Sequence, residues 1–248
     1  MSDFNRGFTR PAVSAADMSV DAGLRAFMLG VYNKVALGLV LSAALAWVTG
    51  NVPQVQRYLF TADAYGRINY TMLGMAVAFA PLGILLFQAF ARRASPRSAS
   101  FTYWSIVTLI GASFGMLFMI YTNVSIFETF LVTAAAFGGL SLVGYTTKRD
   151  LTAMGSFLIM GLFGLILASL ATFFFHSAAL VFIINLLGVG IFAGLIAFQT
   201  QRLKMTYYQL GGDAAAASVA TSYGALTLYL DFINLFRFLL FFMGGSRR

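Results

Sequence analysis

Cysteine is absent from this 248-residue chain, and charged residues make up only 10% of it. The missing cysteine excludes disulfides, thiolate catalysis and Cys-ligated metal sites. Hydrophobic residues account for 60% of the sequence, and the mean hydropathy is +0.84. A chain with so little polar surface cannot hide its apolar side chains in one soluble core, so we expect it to be solvated by lipid.

The sequence motifs of well-known enzyme classes are also missing. The chain contains no phosphate-binding loop, no HExxH and no GxSxG, and no paired His or Asp cluster suited to intramembrane proteolysis. A retinal protein would need a Schiff-base lysine in the last apolar segment, and 222–243 contains none. We therefore predict that the protein is not an enzyme and carries no cofactor.

Long apolar runs dominate the sequence. A membrane-spanning helix needs about 20 mostly apolar residues. Segments of this kind occur at 26–49, 69–91, 101–121, 124–145, 153–175, 178–199 and 222–243. They predict an all-α protein, a polytopic bundle of seven transmembrane helices whose main partner is the lipid bilayer.

Short polar ends flank this apolar region. The arm 1–25 is polar and mixed in charge, and we expect it to be disordered. Residues 26–243 are predicted to form a single transmembrane domain, followed by a short basic tail at 244–248. The longest loop is expected at 202–218, although its first part, 203–210, could continue the sixth helix.

The net charge of +8 comes from 16 Lys and Arg against eight Asp and Glu. The cations occur in short clusters between spans, which argues against a nucleic-acid partner. One side of the predicted topology carries ten of them: Arg6, Arg10, Arg25, Arg92, Arg93, Arg97, Lys148, Arg149, Arg202 and Lys204. The opposite side carries Arg57, Arg67, Arg247 and Arg248. By the positive-inside rule the N-terminus is cytoplasmic, whereas the last two arginines leave open whether the seventh segment crosses fully.

Small residues recur at four-residue spacing within the spans. Gly111 and Gly115 form one such pair in the third span, and Gly190 and Gly194 form another in the sixth. This spacing lets helix backbones approach closely in a membrane. We predict that these glycines serve ordinary bundle packing.

The last span carries ionisable residues, which are rare at bilayer depth. Asp231, Asn234 and Arg237 follow one another at a spacing of three residues, so they are expected to share one face of a helix. A charged side chain there costs about 2.5 to 3.5 kcal/mol on insertion scales. The stripe should therefore face the bundle interior or a water-filled cavity. Two interpretations stay open, an ion or proton site centred on Asp231 and a structural knot that locks helices together.

Three other polar residues are more ambiguous. Lys34 in the first span could extend back toward the cytoplasm or pair with Asp231. Glu128 lies near the outer end of the fourth span, where a carboxylate can reach headgroups or water. His176, the only histidine, falls in a predicted outer loop, where it could sense pH but is more simply solvated.

Three segments, 140–151, 194–204 and 224–236, carry strings that are less generic: LSLVGYTTKRDL, GLIAFQTQRLK and GALTLYLDFINLF. Together they closely resemble the bacterial branch of the Bax inhibitor-1 family, also called the TMBIM family. The resemblance implies seven helices with the C-terminal helix at the centre, in a bacterial inner membrane. It also implies a pH-sensitive calcium leak controlled by two aspartates, one in the sixth helix and one in the seventh, which share a proton because two close carboxylates cannot both ionise cheaply.

Asp231 matches the seventh-helix aspartate of that dyad, but the sixth-helix position holds Gln199. The family commonly has Asp-Thr-Gln where this chain has Gln199-Thr200-Gln201. The Gln199 amide can hydrogen-bond Asp231, yet it supplies neither a charge nor a shared proton. Because calcium favours several oxygen ligands with carboxylates among them, a site built on Asp231 alone should bind it more weakly.

Two functions follow as hypotheses. The first is a cation leak pathway, with calcium as the transported ion, centred on Asp231 and Gln199, with Asn234, Arg237, Lys34 and Glu128 as polar neighbours. The second is a non-conducting regulator that binds a membrane protease or a stress-response complex. A channel needs a hydrated route to Asp231, whereas a regulator can bury it in an ion pair. The oligomeric state stays open.

Overall fold

A computed structural model of the protein describes residues 22–63, 68–90, 95–175 and 177–245. Its helices and strands, in chain order, are α1 (Ala22–Asn51), α2 (Pro53–Leu59), β1 (Phe60–Ala62), β2 (Ile68–Tyr70), α3 (Met72–Phe90), α4 (Pro96–Ser113), α5 (Gly115–Ile120), α6 (Asn123–Thr146), α7 (Thr152–Ala171), α8 (Ala178–Gln209) and α9 (Ala214–Met243). The all-α prediction is confirmed apart from one short hairpin.

Membrane-spanning length and composition are found in most of these helices. Within the described ranges, six helical stretches are long and apolar enough to cross a bilayer: α1, the α4–α5 pair, α6, α7, α8 and α9. A shorter apolar stretch covers Met72–Gln88 in α3. The helical membrane bundle expected from the sequence is therefore present.

The third apolar segment is not one continuous helix. Phe114 separates α4 from α5, and its backbone N–H bonds to the carbonyls of both Ile110 and Gly111. Close packing explains the glycines at this point. A Cβ atom on Gly111 would lie 2.6 Å from the Cα of Ser42 in α1, and one on Gly115 would lie 2.8 Å from the backbone nitrogen of Gly50. The predicted packing role of this pair is confirmed.

The second pair of small residues behaves differently along α8. A Cβ on Gly194 would approach the Leu158 side chain of α7 to 2.6 Å, whereas one on Gly190 would meet nothing within 4 Å. Gly194 thus admits a neighbouring side chain, but Gly190 does not mark a helix contact. The packing prediction holds for only one member of this pair.

The predicted start of the second span at residue 69 is wrong. Residues 60–62 and 68–70 instead form an antiparallel hairpin, with Phe60 opposite Tyr70 and Thr61 opposite Asn69. The phenol of Tyr70 donates a hydrogen bond to the carbonyl of Ser113 at 3.2 Å, and its ring lies 5.5 Å from that of Phe60. These contacts hold the hairpin against the end of α4, and α3 begins only at Met72.

The long loop predicted at 202–218 is also mostly helical. As the alternative allowed, α8 continues to Gln209, and α9 already begins at Ala214. The turn between them needs left-handed backbone at Gly211 (φ 59°) and Gly212 (φ 87°), which glycine adopts without strain. Asp213 then caps α9 by accepting hydrogen bonds from the N–H groups of Ala215 and Ala216.

Helix α9 is the most enclosed of the long helices. In an apolar stretch of α9 long enough to cross a bilayer, half of the residues are buried, against 11% in the corresponding stretch of α7. It packs on α1, α4, α6 and α8. Its buried side chains include Leu226, Leu228 and Asp231, which point in different directions around the helix. Protein, not lipid, therefore surrounds most of α9.

Three features predicted from the sequence lie outside the described residues. They are residues 1–21 of the N-terminal arm, His176, and the end of the basic tail with Arg247 and Arg248.

Gly144 in α6 offers a test of the helix packing. A Cβ there would collide with the backbone of Ala197 in α8, which cannot move aside as a side chain can. We expect Gly144→Ala to lower the stability by about 1 to 3 kcal/mol, the usual range for overpacking. Thermal unfolding of the purified protein in detergent would measure it.

Gly139→Ala on the same helix is the matched control. A Cβ at Gly139 would meet nothing within 4 Å, so the exchange should be neutral or slightly stabilising through helix propensity. Equal effects of the two substitutions would show that α6 and α8 are not in backbone contact at Gly144.

Candidate functional site

A cavity of about 870 Å³ lies between α9 and the helices α3, α5, α7 and α8. Most of its wall is apolar. Its polar lining residues are Tyr121, Ser169, Asn185, Gln199, Thr227, Asp231, Asn234 and Arg237. Along α9 the cavity extends from Thr227 to Phe241, a helical rise of roughly 21 Å. It is therefore an elongated space that runs beside the enclosed helix.

Asp231 reaches this cavity from a buried position. Its side chain is only 6% exposed. Among the described residues, its Oδ2 atom is buried and has no hydrogen-bond partner. A buried charged group without a partner is costly, and a proton or a cation would remove that cost. The carboxylate is thus available for a ligand.

The polar stripe predicted on the last span is present, but its members differ. Asn234 is half-buried and donates its amide N–H to the carbonyl of Leu230 at 2.8 Å. Its carbonyl oxygen can still act as an acceptor. Arg237 lines the cavity as well, but it is exposed. The stripe faces the cavity as expected, and it contributes a carboxylate, an amide oxygen and a cation in succession.

Gln199 lines the same cavity from α8 and is half-buried. The structure therefore brings Asp231 and Gln199 to one space from two different helices. Among the described residues, the Oδ2 of Asp231 accepts no hydrogen bond, from Gln199 or from any other group. The Gln199 amide carries no charge, so the pair places one carboxylate and one neutral amide on the cavity wall.

Lys34 does not take part in this site. Its Nζ atom donates hydrogen bonds to Ser222 at 2.7 Å and to Ser100 at 3.0 Å. Ser222 precedes Asp231 by nine residues of α9, a rise of roughly 13 Å. Of the two interpretations left open by the sequence, pairing with Asp231 is wrong, because Lys34 is held by hydroxyl groups of α4 and α9.

Glu128 is also remote from the cavity. It is exposed on α6 and does not line the cavity. Nor do the described ranges contain a cluster of three or more His, Cys, Asp or Glu side chains that could hold a metal ion. A cation beside Asp231 would therefore meet one carboxylate, with the remaining oxygens coming from amide and hydroxyl groups.

Asn185 is a cavity residue that the sequence analysis missed. It lies on α8, half-buried, and its amide donates to the carbonyl of Val181 at 2.7 Å. It precedes Gln199 by fourteen residues, close to four helical turns, so the two face the same side of α8. The spacing of these two amides within an apolar span could have indicated from the sequence that Asn185 lies on the same face as Gln199.

A separate buried network joins α9 to α1 and α4. The Ser42 hydroxyl donates to the carbonyl of Val107 at 3.0 Å and lies 2.7 Å from the phenol oxygen of Tyr229. Tyr103 donates to the backbone carbonyl of Lys34 at 2.6 Å, and its ring lies 6.3 Å from that of Tyr229. These satisfied groups fix α9 on the side away from the cavity.

The fold and the cavity together define the class: this is an integral membrane protein, a bundle of apolar helices with a cavity beside α9 that several polar side chains line. Comparison with known proteins gives the family. The sequence profile described as "Inhibitor of apoptosis-promoting Bax1" matches residues 24–248. The chain belongs to the Bax inhibitor-1 family.

Relatives from several bacteria cover nearly the whole chain. An uncharacterized protein of Caulobacter vibrioides is 60% identical over all of both chains. A second one, from Rickettsia prowazekii, is 41% identical over the same extent. The inner membrane protein YbhL of Escherichia coli is 40% identical over 91% of this chain and 94% of its own. The resemblance seen in the three sequence segments is confirmed.

A pair of substitutions tests whether Asp231 has a structural partner. We expect Tyr229→Phe to lower the stability by about 1 kcal/mol, because it removes the hydrogen bond with Ser42. Asp231→Asn should leave the stability unchanged or raise it, since Oδ2 gives up no hydrogen bond. Thermal unfolding in detergent at neutral pH compares the two. A loss at Asp231→Asn as large as that at Tyr229→Phe would mean that the carboxylate ties helices together.

Proposed function

We propose that the protein is a pH-sensitive cation leak pathway of the bacterial inner membrane, with calcium among the ions that pass and Asp231 at its centre. The observation that carries the proposal is Asp231 itself: it lines a cavity of about 870 Å³, and its buried Oδ2 has no hydrogen-bond partner among the described residues. A structural knot would use that oxygen in an ion pair or hydrogen bond. An ion site leaves it open for the ion.

The ligands around Asp231 are better suited to letting a cation pass than to binding it tightly. Calcium takes six to eight oxygen ligands, and its affinity rises with the number of charged ones. Here a single carboxylate is accompanied by the amide oxygens of Gln199 and Asn234 on the wall of the same cavity. A site with one charge binds a divalent ion weakly and releases it readily. A proton competes for the same carboxylate, which makes the flux depend on pH.

The two ends of the route differ. The cavity includes Tyr121 and Phe173, which lie just beyond α5 and α7. In the first part of α9, by contrast, Ser222 and Ala225 are fully buried, and a Cβ on Gly224 would collide with the side chain of Leu203. We therefore assign this packed region to the closed end of the pathway, where α9 must separate from its neighbours before an ion can cross.

The topology belongs to the same proposal. We place α3 as a seventh span beside the six longer ones, α9 as the central helix, and the N-terminus in the cytoplasm, where the ten clustered cations favour it. The closed end then faces the cytoplasm and the cavity opens outward. No catalytic residue is assigned.

Reconstituted protein with a trapped calcium dye, across pH of about 5 to 8, tests the proposal. We expect the native protein to show a pH-dependent flux. Asp231→Asn should reduce the flux and remove its pH dependence, because the amide does not titrate. Gln199→Asp should raise calcium affinity by adding a second carboxylate to the cavity.

Glu128→Gln is the matched control, since it neutralises an exposed carboxylate outside the cavity and should leave the flux unchanged. A flux that is insensitive to Asp231→Asn would contradict the assignment of the site. No flux from the native protein or from Gln199→Asp would overturn the leak and favour a regulator that binds a membrane protease or another membrane protein.

A further inference from the structure

A second cavity, of about 570 Å³, lies at the other end of α8 from the cavity entrance. It is formed by the end of α6, the connection to α7 and the last three turns of α8. Its lining is strongly basic, and the charged groups are Lys148, Arg149, Asp150, Arg202 and Lys204. Four cations thus face a single carboxylate in one pocket. We refer to it as the basic pocket.

The single carboxylate is already engaged in local structure. One oxygen of Asp150 accepts hydrogen bonds from the backbone N–H and the hydroxyl of Thr152, at 2.8 and 2.6 Å. These bonds lower the pKa of Asp150, so it stays charged, but its charge serves the first turn of α7. The four cations remain in excess over it.

Hydrogen bonds hold the α6–α7 connection in place. The Gln201 amide clasps it from α8, accepting from the N–H of Leu151 and donating to the carbonyl of Arg149, both at 2.8 Å. Thr147 accepts from the N–H of Arg149 at 3.3 Å. The backbone beside the pocket is therefore fixed before any ligand arrives, which reduces the entropy lost on binding.

Lys204 gives the pocket a buried cation. It is only 6% exposed, and its Nζ atom donates to the carbonyl of Tyr145 at 2.9 Å and lies 5.2 Å from the centre of the Tyr145 ring. A lysine ammonium has three N–H donors, so this contact leaves donors for a ligand. The side chain is anchored at the end of α6, where a bilayer headgroup region would begin.

The pocket also has an apolar wall. Phe198 and Met205 line it from α8, seven residues apart and so on one face of the helix. Met205 is 47% exposed. A phosphate needs only the cations, whereas a lipid also needs apolar surface next to them. The combination of both points to a ligand with a phosphate head and a hydrocarbon chain.

We propose that the basic pocket binds a phosphate group, presented by the headgroup of an anionic phospholipid whose acyl chain lies along Phe198 and Met205. Arg149, Arg202 and Lys204 donate to the phosphate oxygens, and arginine provides the paired donors that suit them. The clustered cations thereby act as a ligand site in addition to their effect on topology. This inference does not depend on the leak.

Thermal unfolding of the purified full-length protein in detergent micelles tests it, with three probes: dioleoyl phosphatidylglycerol, dioleoyl phosphatidylcholine and glycerol 1-phosphate. We expect a saturable rise in the unfolding midpoint with phosphatidylglycerol and none with phosphatidylcholine. In the double variant Arg149→Gln/Arg202→Gln, the concentration for half effect should rise by about tenfold or more, since two charged donors to the phosphate are lost.

The matched control is Arg25→Gln/Arg97→Gln, which removes two other cations of the same predicted side and should keep the native response. A saturable effect of glycerol 1-phosphate, lost in the double variant, would support the phosphate chemistry with a soluble ligand as its source. A response to phosphatidylglycerol without any effect of glycerol 1-phosphate would support the lipid as the source. Equal responses to the two lipids, or equal losses in the two double variants, would overturn the proposal. Should Arg149→Gln/Arg202→Gln not fold, the single variant Arg202→Gln, at an exposed position, carries the same comparison.

Discussion

The enclosure of α9 by the other helices is the constraint on which the rest of the structure depends. In lipid there is little hydrophobic drive between helices, so they associate through close packing and hydrogen bonds. Gly111 and Gly115 bring α4 and α5 onto α1. Ser42 and Tyr229 then join α1 to α9. With α9 held on this side, its opposite face can border a cavity and keep a carboxylate there without exposing it to lipid.

Much of this architecture could be predicted from the sequence because the signal for a spanning helix is long and simple. The described part of each of the seven apolar segments is mostly helical in the structure. The paired strands 60–62 and 68–70 were missed because they have only three residues each, too few for a period-2 pattern to stand out. The extent of α8 was underestimated because hydropathy ends where the lipid would end, while Leu203 and Lys204 continue the helix as buried packing residues.

The candidate site was predictable in part. The spacing of Asp231, Asn234 and Arg237 gave the face of α9, but spacing alone could not tell which helix lies opposite. The pairing of Gln199 with Asp231 was predicted from the family resemblance, and both residues line one cavity. Lys34 shows the limit of this reasoning, since its partners Ser100 and Ser222 lie 66 and 188 residues away in sequence. Hydroxyl groups in apolar spans give no charge pattern by which such contacts could be foreseen.

The positive charge of Arg237 determines how well the cavity must be hydrated if a cation is to reach Asp231. Arg237 follows Asp231 by six residues, roughly 9 Å along α9, on the side of Phe241. If the charges are also about 9 Å apart, a divalent ion beside Asp231 is repelled by Arg237 with about 1 kcal/mol in water, and about 4 kcal/mol at an effective dielectric constant near 20. A repulsion of about 1 kcal/mol is a small barrier, whereas one of about 4 kcal/mol would cancel much of the attraction between the ion and the single carboxylate of Asp231. Because Arg237 is exposed, its charge can be hydrated, and the proposed leak therefore requires water to fill the cavity from that end.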